Sequence, residues 1–169
     1  MANAITSIRL LSIPIFAFFF FSNNSTLNLF APFIYLLAVL TDIADGYVAR
    51  KRNEITDFGK EFDPIVDRLF ILSVIIFLLL KKMIPLPGAL LIIVRDILMI
   101  TGYKTVSYLR ERIEVDVFGK VSTFVIFASL FLIMVKLPYG IHLFWIAIGL
   151  SLISGINYTR KGYYVLAKK

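Results

Sequence analysis

The 169 residues carry a net charge of +7 and are 59% hydrophobic and 17% charged, with a mean hydropathy of +0.86. Ordinary globular domains are about 25% charged and less apolar, so this composition favours an integral membrane protein, with 1–169 as a single domain. The chain has no cysteine and one histidine, His142, which excludes disulfides, thiolate zinc sites and two-histidine mechanisms. The positive charge fits anionic lipid surfaces and phosphate-bearing substrates better than nucleic acid.

Six apolar stretches follow one another along the chain and are separated by Gly, Pro, Asn or charged residues. A helix needs about 20 residues to cross the hydrocarbon core, and most of the stretches approach or exceed that length. The first is expected to be a retained span, because Phe18 to Phe21 offers no small-residue cleavage site. We therefore predict an all-α integral membrane protein with six transmembrane helices, at residues 5–21, 27–48, 58–80, 87–109, 117–137 and 141–158.

Basic residues are distributed unequally between the two sets of connections. Thirteen Lys or Arg residues fall near the N-terminus, around the second and fourth connections and in the C-terminal tail, whereas the other set holds only Lys81, Lys82 and Lys136. Because basic connections stay on the cytoplasmic side, both termini and the second and fourth connections are predicted to be cytoplasmic. The chain is expected to be a multi-pass protein of the cell's inner membrane.

Four aspartates, Asp42, Asp45, Asp63 and Asp67, lie within or beside the second and third apolar stretches. A lone Asp at the bilayer centre costs roughly 2.5–3.5 kcal/mol, so these residues call for an interface, a wet cavity or bound cations. The spacings i, i+3 and i, i+4 put each pair on one helix face, and the short connection predicts antiparallel neighbouring helices. Four carboxylates at one pocket suit Mg²⁺ or Mn²⁺, with two ions expected.

The residues between these acids also favour a ligand site. Gly46, Ala49 and Gly59 leave a helix face bare of side chain, so that a flat ligand can approach the backbone. Arg50 offers a planar, permanently charged guanidinium that can bind a phosphate. Two metal ions flanked by an arginine and small residues describe a site for a diphosphate ester, predicted at the cytoplasmic side.

A transporter of divalent cations, or one coupled to protons, is the alternative from another class, because acids within helices also mark ion pathways. It predicts acids near the middle of the membrane and broken helices in paired halves. Here the acids cluster in one half of the chain, at the predicted cytoplasmic end. A solvated helix-end cluster or a non-catalytic scaffold leaves the full spacing unexplained.

The whole set of spacings resembles the signature of the CDP-alcohol phosphatidyltransferases at all eight fixed positions: Asp42-x2-Asp45-Gly46-x2-Ala49-Arg50-x8-Gly59-x3-Asp63-x3-Asp67. The resemblance implies a six-helix membrane bundle, usually a homodimer, that transfers a phosphatidyl group from CDP-diacylglycerol to an alcohol. It implies that Asp42, Asp45 and Asp63 bind metal and that Asp67 completes the metal site and acts as the general base. It implies CDP-binding positions at Asp42, Gly46, Ala49, Arg50 and Gly59.

Further residues resemble family members that take glycerol 3-phosphate as the acceptor. These residues are Asn3, Thr6 and Arg9 near the N-terminus, Arg95-Asp96 in the fourth stretch, and Gly119, Lys120 and Thr123 in the fifth. The acceptor phosphate is predicted to contact Arg95, Lys104, Arg110 and Lys120, because an anionic acceptor calls for cationic groups. Phosphatidylglycerol, the acceptor in cardiolipin synthesis, and inositol or inositol phosphate stay open as alternatives.

Overall fold

The computed structural model describes the backbone of residues 2–52, 57–108 and 117–167, and the side chains of residues 11–41, 68–98, 119–157 and 160. All regular elements in this part of the chain are helices, so the all-α prediction is confirmed for the described residues. The helices are α1 (Ala2–Phe21), α2 (Ser25–Asn28), α3 (Ala31–Arg52), α4 (Asp57–Leu80), α5 (Leu86–Tyr108), α6 (Val117–Met134) and α7 (Tyr139–Ala167).

The second predicted stretch, 27–48, differs from the structure at both ends. Its first residues belong to the single turn α2, which Asn24 caps by accepting a hydrogen bond from the backbone N–H of Thr26 at 2.9 Å. The long helix α3 starts at Ala31 and continues to Arg52. An Asn that satisfies an orphan N–H at a helix start explains why a turn forms where hydropathy alone predicted a continuous span.

The last predicted stretch, 141–158, is too short, because α7 continues to Ala167. The prediction ended where the apolar run ends. The residues beyond it include Arg, Lys, Leu and Ala, which are good helix formers whatever their polarity. Hydropathy therefore located the apolar segment and missed the helix that extends past it.

Length and hydropathy test part of the predicted membrane character. Within the described ranges, Tyr139–Asn157 in α7 is the one helical stretch both long and apolar enough to cross a bilayer. The apolar runs of the other helices that the same measure detects are shorter: Leu11–Phe21, Ser25–Thr41, Arg68–Leu80 and Gly119–Met134. The six spans and the cytoplasmic termini stay predictions.

The chain divides into two compact units, Met1–Lys81 and Lys82–Lys169, and the single domain 1–169 stays a prediction. In the first unit α1 packs against both α3 and α4. The fully buried Phe16 of α1 joins them, since its ring centroid lies 6.3 Å from that of Tyr35 in α3 and 6.1 Å from that of Phe77 in α4. Aromatic packing of this kind organises the core of the first unit.

One carbonyl oxygen, that of Phe20 near the end of α1, fixes the direction of the helices in the first unit. It accepts hydrogen bonds from Asn28 Nδ2 at 3.2 Å and from Lys81 Nζ, and the Lys81 Nζ also lies 4.4 Å from the centroid of the Phe20 ring. A cation at a helix C-terminus satisfies an orphan carbonyl and the helix dipole. Because Asn28 precedes α3 and Lys81 follows α4, the two helices run antiparallel, as predicted.

In the second unit α7 packs against both α5 and α6. Two glycines permit close approach: a Cβ added at Gly88 would lie 2.7 Å from Cε1 of Phe144, and one at Gly140 would lie 2.8 Å from the backbone N of Ile133. Serines are buried on α6 and on α7, and small residues of this kind let apolar helices pack closely. The buried serines are Ser122, Ser129, Ser151 and Ser154.

The end of α6 explains why the fifth predicted stretch, 117–137, overruns the helix. Lys136 has a φ of 61°, in the left-handed region. Its N–H donates to Ile133 O and the N–H of Leu137 donates to Leu132 O, both at 3.0 Å, which is the hydrogen-bond pattern of a Schellman motif. A left-handed residue ends the helix there, although the side chains around it are still apolar.

A lysine at this left-handed position predicts a stability difference between two substitutions. Lys136→Gly and Lys136→Ala remove the same charge, but only Ala keeps a Cβ that a left-handed backbone disfavours by about 1 kcal/mol. We expect Lys136→Gly to have the higher free energy of unfolding, measured by denaturation of both purified variants in one detergent. Equal stabilities, or a more stable Ala variant, would contradict the assigned helix end.

Candidate functional site

The predicted site residues occupy two facing ends of helices in the first unit. The backbone of Asp42, Asp45, Gly46, Ala49 and Arg50 lies in the C-terminal half of α3, and that of Gly59, Asp63 and Asp67 in the N-terminal half of α4. Their side chains lie outside the described residues, as does the connection 53–56. No group of three acidic or histidine residues that could hold a metal occurs among the described side chains, so the predicted cluster stays a prediction.

The buried face of α3 can be followed from the described residues toward the aspartates. Ala31, Tyr35 and Val39 are buried, whereas Phe33 and Leu37 on the opposite face are 59% and 64% exposed. A helix turns about 100° per residue, so the buried face continues within about 40° of Tyr35. The positions on that continuation are 42, 46 and 49. Position 45 lies about 80° from Tyr35, at the edge of the face.

The buried face of α4 leads to the other two aspartates in the same way. Phe70, Val74 and Leu78 are buried, whereas Leu69 and Leu80 are 45% and 66% exposed. Counting back from Val74 at about 100° per residue, positions 67 and 63 lie within about 20° of its direction and position 59 within about 60°. Along both helices, the positions in line with these buried residues carry acidic and small residues in the sequence.

One ring contact sets the height at which these faces meet. The ring centroids of Tyr35 and Phe70 are 6.0 Å apart and their planes differ by 13°. Asp42 is seven residues after Tyr35 and Asp63 is seven residues before Phe70. Each of these positions lies about 10.5 Å of helix rise from the residue of its own helix that makes the ring contact, at 1.5 Å per residue. On the same scale, positions 45 and 67 lie about 15 Å and about 4.5 Å from the contact residue of their own helix.

The arrangement can therefore gather carboxylates. Three of the four aspartate positions, 42, 63 and 67, are in line with the buried residues Tyr35 and Val74 of their helices. Like charges so placed raise one another's free energy unless cations or protons compensate them. Oxygen-only donor sets of this kind fit Mg²⁺ or Mn²⁺. Small residues at 46, 49 and 59 keep the neighbouring backbone open to a ligand.

The predicted acceptor residues have different places in the second unit. Arg95 is buried in α5, with 5% exposure, and Lys120 is exposed near the start of α6. Lys104 lies on α5 with its side chain outside the described residues, and Arg110 lies outside them altogether. The structure thus describes only Arg95 and Lys120 of this set at the level of side chains. Asn3, Thr6 and Arg9 lie on α1, and their side chains are also outside the described part.

Arg95 and Asp96 form a buried ion pair, with Arg95 Nη1 2.8 Å from Asp96 Oδ1 and side-chain exposures of 4% and 1%. Sequence reasoning noted Asp96 only as the neighbour of Arg95 and did not predict the pair. Two residues of α7 were missed entirely, Gly155 beside Arg95 and the buried Ser151. Serine and glycine are common at packed positions of apolar helices, so nothing in the sequence distinguished Ser151 and Gly155 from ordinary packing residues.

Comparison with known families gives one match. The family model described as CDP-alcohol phosphatidyltransferase matches residues 1–153. This range includes every predicted aspartate position and the buried Arg95–Asp96 pair. The match covers most of both compact units.

Comparison with curated proteins gives relatives that align over almost the whole chain. A protein of Rickettsia felis is 36% identical over 95% of this chain and 93% of its own length, and one of Bacillus subtilis is 28% identical over 98% and 96%. Both are named CDP-diacylglycerol–glycerol-3-phosphate 3-phosphatidyltransferase. A Mycobacterium tuberculosis protein named probable phosphatidylglycerophosphate synthase is 30% identical over 95% of this chain and 80% of its own length.

Proposed function

We propose that this chain, which belongs to the CDP-alcohol phosphatidyltransferase family, transfers the phosphatidyl group of CDP-diacylglycerol to glycerol 3-phosphate, giving phosphatidylglycerol phosphate and CMP. Family membership rests on the match over residues 1–153 and on relatives above 30% identity. The choice of glycerol 3-phosphate is supported by the names of those relatives. One observation in this chain carries it independently: a buried guanidinium in the second unit.

The donor would be held on the inward faces of α3 and α4. Asp42, Asp45, Asp63 and Asp67 would hold the divalent cations, because their positions supply four oxygen donors at similar height. Bound Mg²⁺ or Mn²⁺ would polarise the diphosphate and stabilise the departing CMP. Gly46, Ala49 and Gly59 would leave the cytidine room against the backbone, and Arg50 would bind a phosphate of the donor.

Asp67 would act as the general base. Its position lies nearest to the Tyr35–Phe70 ring contact, about 6 Å of helix rise from the height of Asp42 and Asp63. A carboxylate there can take the proton of the acceptor's primary hydroxyl as the oxygen attacks the phosphorus in line. The hydroxyl oxygen forms the new P–O bond, and the bond to the CMP oxygen breaks. No covalent nucleophile on the enzyme is needed.

The acceptor is expected to carry a phosphate because the buried guanidinium of Arg95, although paired with Asp96, keeps an Nε with no acceptor among the described residues. Burying a guanidinium is costly unless anions and hydrogen bonds compensate it. Neutral inositol supplies no charge for this purpose, whereas glycerol 3-phosphate presents a doubly ionisable phosphate. Lys104, Arg110 and Lys120 would add positive charge on the route of a soluble anion. Phosphatidylglycerol, which also carries a phosphate, is the second candidate acceptor.

The enzyme is proposed to span the inner membrane six times, with the site at the cytoplasmic side. Large apolar side chains are exposed on helices of both units, which favours contact with lipid. Examples are Phe18, Leu37, Leu80, Leu98 and Ile156, each more than half exposed. A homodimer, as in the resemblance above, would cover part of this apolar surface.

Substitution of the proposed base tests its role separately from that of the metal ligands. Asp67→Asn should keep CDP-diacylglycerol binding and lose turnover, because an amide cannot accept the hydroxyl proton. Asp63→Asn, the control, should weaken Mn²⁺ and donor binding together. Donor binding and CMP release are measured on both purified variants. Near-normal CMP release by Asp67→Asn would show that another group is the base.

The acceptor itself is tested by CMP release from CDP-diacylglycerol and Mg²⁺ with one candidate acceptor at a time. Purified protein should release CMP with glycerol 3-phosphate, and phosphatidylglycerol phosphate should appear in equal amount. Inositol, inositol phosphate, serine and phosphatidylglycerol are the comparison acceptors. Release with phosphatidylglycerol alone would identify a cardiolipin-forming reaction and overturn the proposed acceptor.

A further inference from the structure

The buried guanidinium of Arg95 uses one of its two hydrogen-bonding edges within the protein. Nη1 donates to Asp96 Oδ1 at 2.8 Å. Nε, which belongs to the other edge, is buried and has no hydrogen-bond acceptor among the described residues. The Nε–Nη2 edge of an arginine presents two parallel N–H groups, the geometry that binds a phosphate or carboxylate through two oxygens.

A second buried polar atom without a partner among the described residues lies on α7. It is the hydroxyl oxygen of Ser151, a residue that is 1% exposed. Ser151 is one helical turn before Gly155, so the two residues share a face of α7. A Cβ added at Gly155 would lie 3.9 Å from Cγ of Arg95, so this face of α7 is the one that Arg95 contacts.

The direction of the two helices places the guanidinium on the Ser151 side of Gly155. Gly88 of α5 lies against Phe144 and Ile148 of α7, and Arg95, later in α5, lies against Gly155, so the helices run parallel. Side chains of a helix lean toward its N-terminus. This tilt favours a guanidinium at the level of the α7 turn that holds Ser151. Two buried groups with unused hydrogen-bonding capacity are therefore expected in one section of the α5–α7 interface.

We propose that the Nε–Nη2 edge of Arg95 and the hydroxyl of Ser151 form a buried subsite for the acceptor's phosphate group, and that Asp96 is the positioning residue that orients this edge. The inference rests on the proposed function and adds Asp96 and Ser151 to it. A buried donor without an acceptor is destabilising, and a bound oxyanion would relieve this cost. Asp96 occupies Nη1 and so restricts the rotation of the guanidinium.

A purely structural ion pair would have different consequences from a positioning pair. A structural pair supports folding, so its loss lowers stability without selecting between substrates. A positioning pair acts on one substrate, so its loss raises the acceptor KM and leaves the donor KM unchanged. The comparison of the two KM values therefore separates the alternatives.

The experiment measures KM for glycerol 3-phosphate and for CDP-diacylglycerol with full-length enzyme in phosphatidylcholine vesicles. For Asp96→Asn we expect the acceptor KM to rise on the order of tenfold or more and the donor KM to stay within about twofold. Asp96→Glu, which keeps the carboxylate, should recover most of the affinity. Ser151→Ala should raise the acceptor KM about tenfold to a hundredfold, the loss of one hydrogen bond to a charged group.

Ser129→Ala is the matched control. Ser129 is as buried as Ser151, but its hydroxyl already donates to Ile126 O at 2.7 Å within α6. It should leave both KM values unchanged. Equal effects of Ser151→Ala and Ser129→Ala, or parallel changes of donor and acceptor KM in Asp96→Asn, would overturn the subsite. If Asp96→Asn does not fold, the comparison of Ser151→Ala with Ser129→Ala decides alone.

The source of the phosphate is separated from the subsite by a second set of measurements. If wild-type enzyme uses phosphatidylglycerol and not glycerol 3-phosphate, the proposed acceptor is wrong, and the same variants are measured with phosphatidylglycerol. Unchanged acceptor KM values there would overturn the subsite as well, whereas selective increases would support it. Glycerol 3-phosphate should also raise the melting temperature of wild-type enzyme more than that of Ser151→Ala. Equal shifts would contradict the subsite.

Discussion

The stacking of Tyr35 on Phe70 is the contact on which the proposed chemistry depends. It joins the inward faces of α3 and α4 at one height, and Phe16 of α1 packs against Tyr35 from a third helix. Positions 42 and 63 are each seven residues from this contact, which in antiparallel helices favours similar heights. Carboxylates on separate helices can share cations only if such a register is maintained. The proposed acidic site therefore depends on the apolar contacts among α1, α3 and α4.

The two units carry different kinds of charge in apolar surroundings. The first holds the four predicted aspartate positions on α3 and α4, where cations are proposed to compensate the carboxylates. The second holds Arg95, which Asp96 compensates in part and whose Nε has no acceptor in the described part of the chain. The burial of Arg95 is costly, and a bound anion would relieve it in part. A metal-bound diphosphate donor and a phosphate-bearing acceptor are a pair of ligands with the required charges.

Sequence periodicity predicted those features that depend on one helix at a time. The spacing of Asp63 and Asp67 predicted a shared helix face, and the backbone at both positions is helical in α4. Features that depend on contacts between helices were not predictable. The spacing of residues along the sequence does not predict the contact between Tyr35 and Phe70. Nor does it predict that Ser151 lies on the face of α7 that Arg95 contacts. Hydropathy also misplaced helix ends where local hydrogen bonds decide them, as at Asn24 and Lys136.

The central claim is that carboxylates of α3 and α4 jointly bind two divalent cations needed for transfer. It is tested most directly by titrating metal-free enzyme with Mn²⁺ and following bound ions by electron paramagnetic resonance, with CMP release measured on the same samples. The account predicts two Mn²⁺ per chain with coupled spectra, turnover that appears as they bind, and loss of both in Asp42→Asn and in Asp63→Asn. Full turnover in enzyme shown to be free of metal would contradict it.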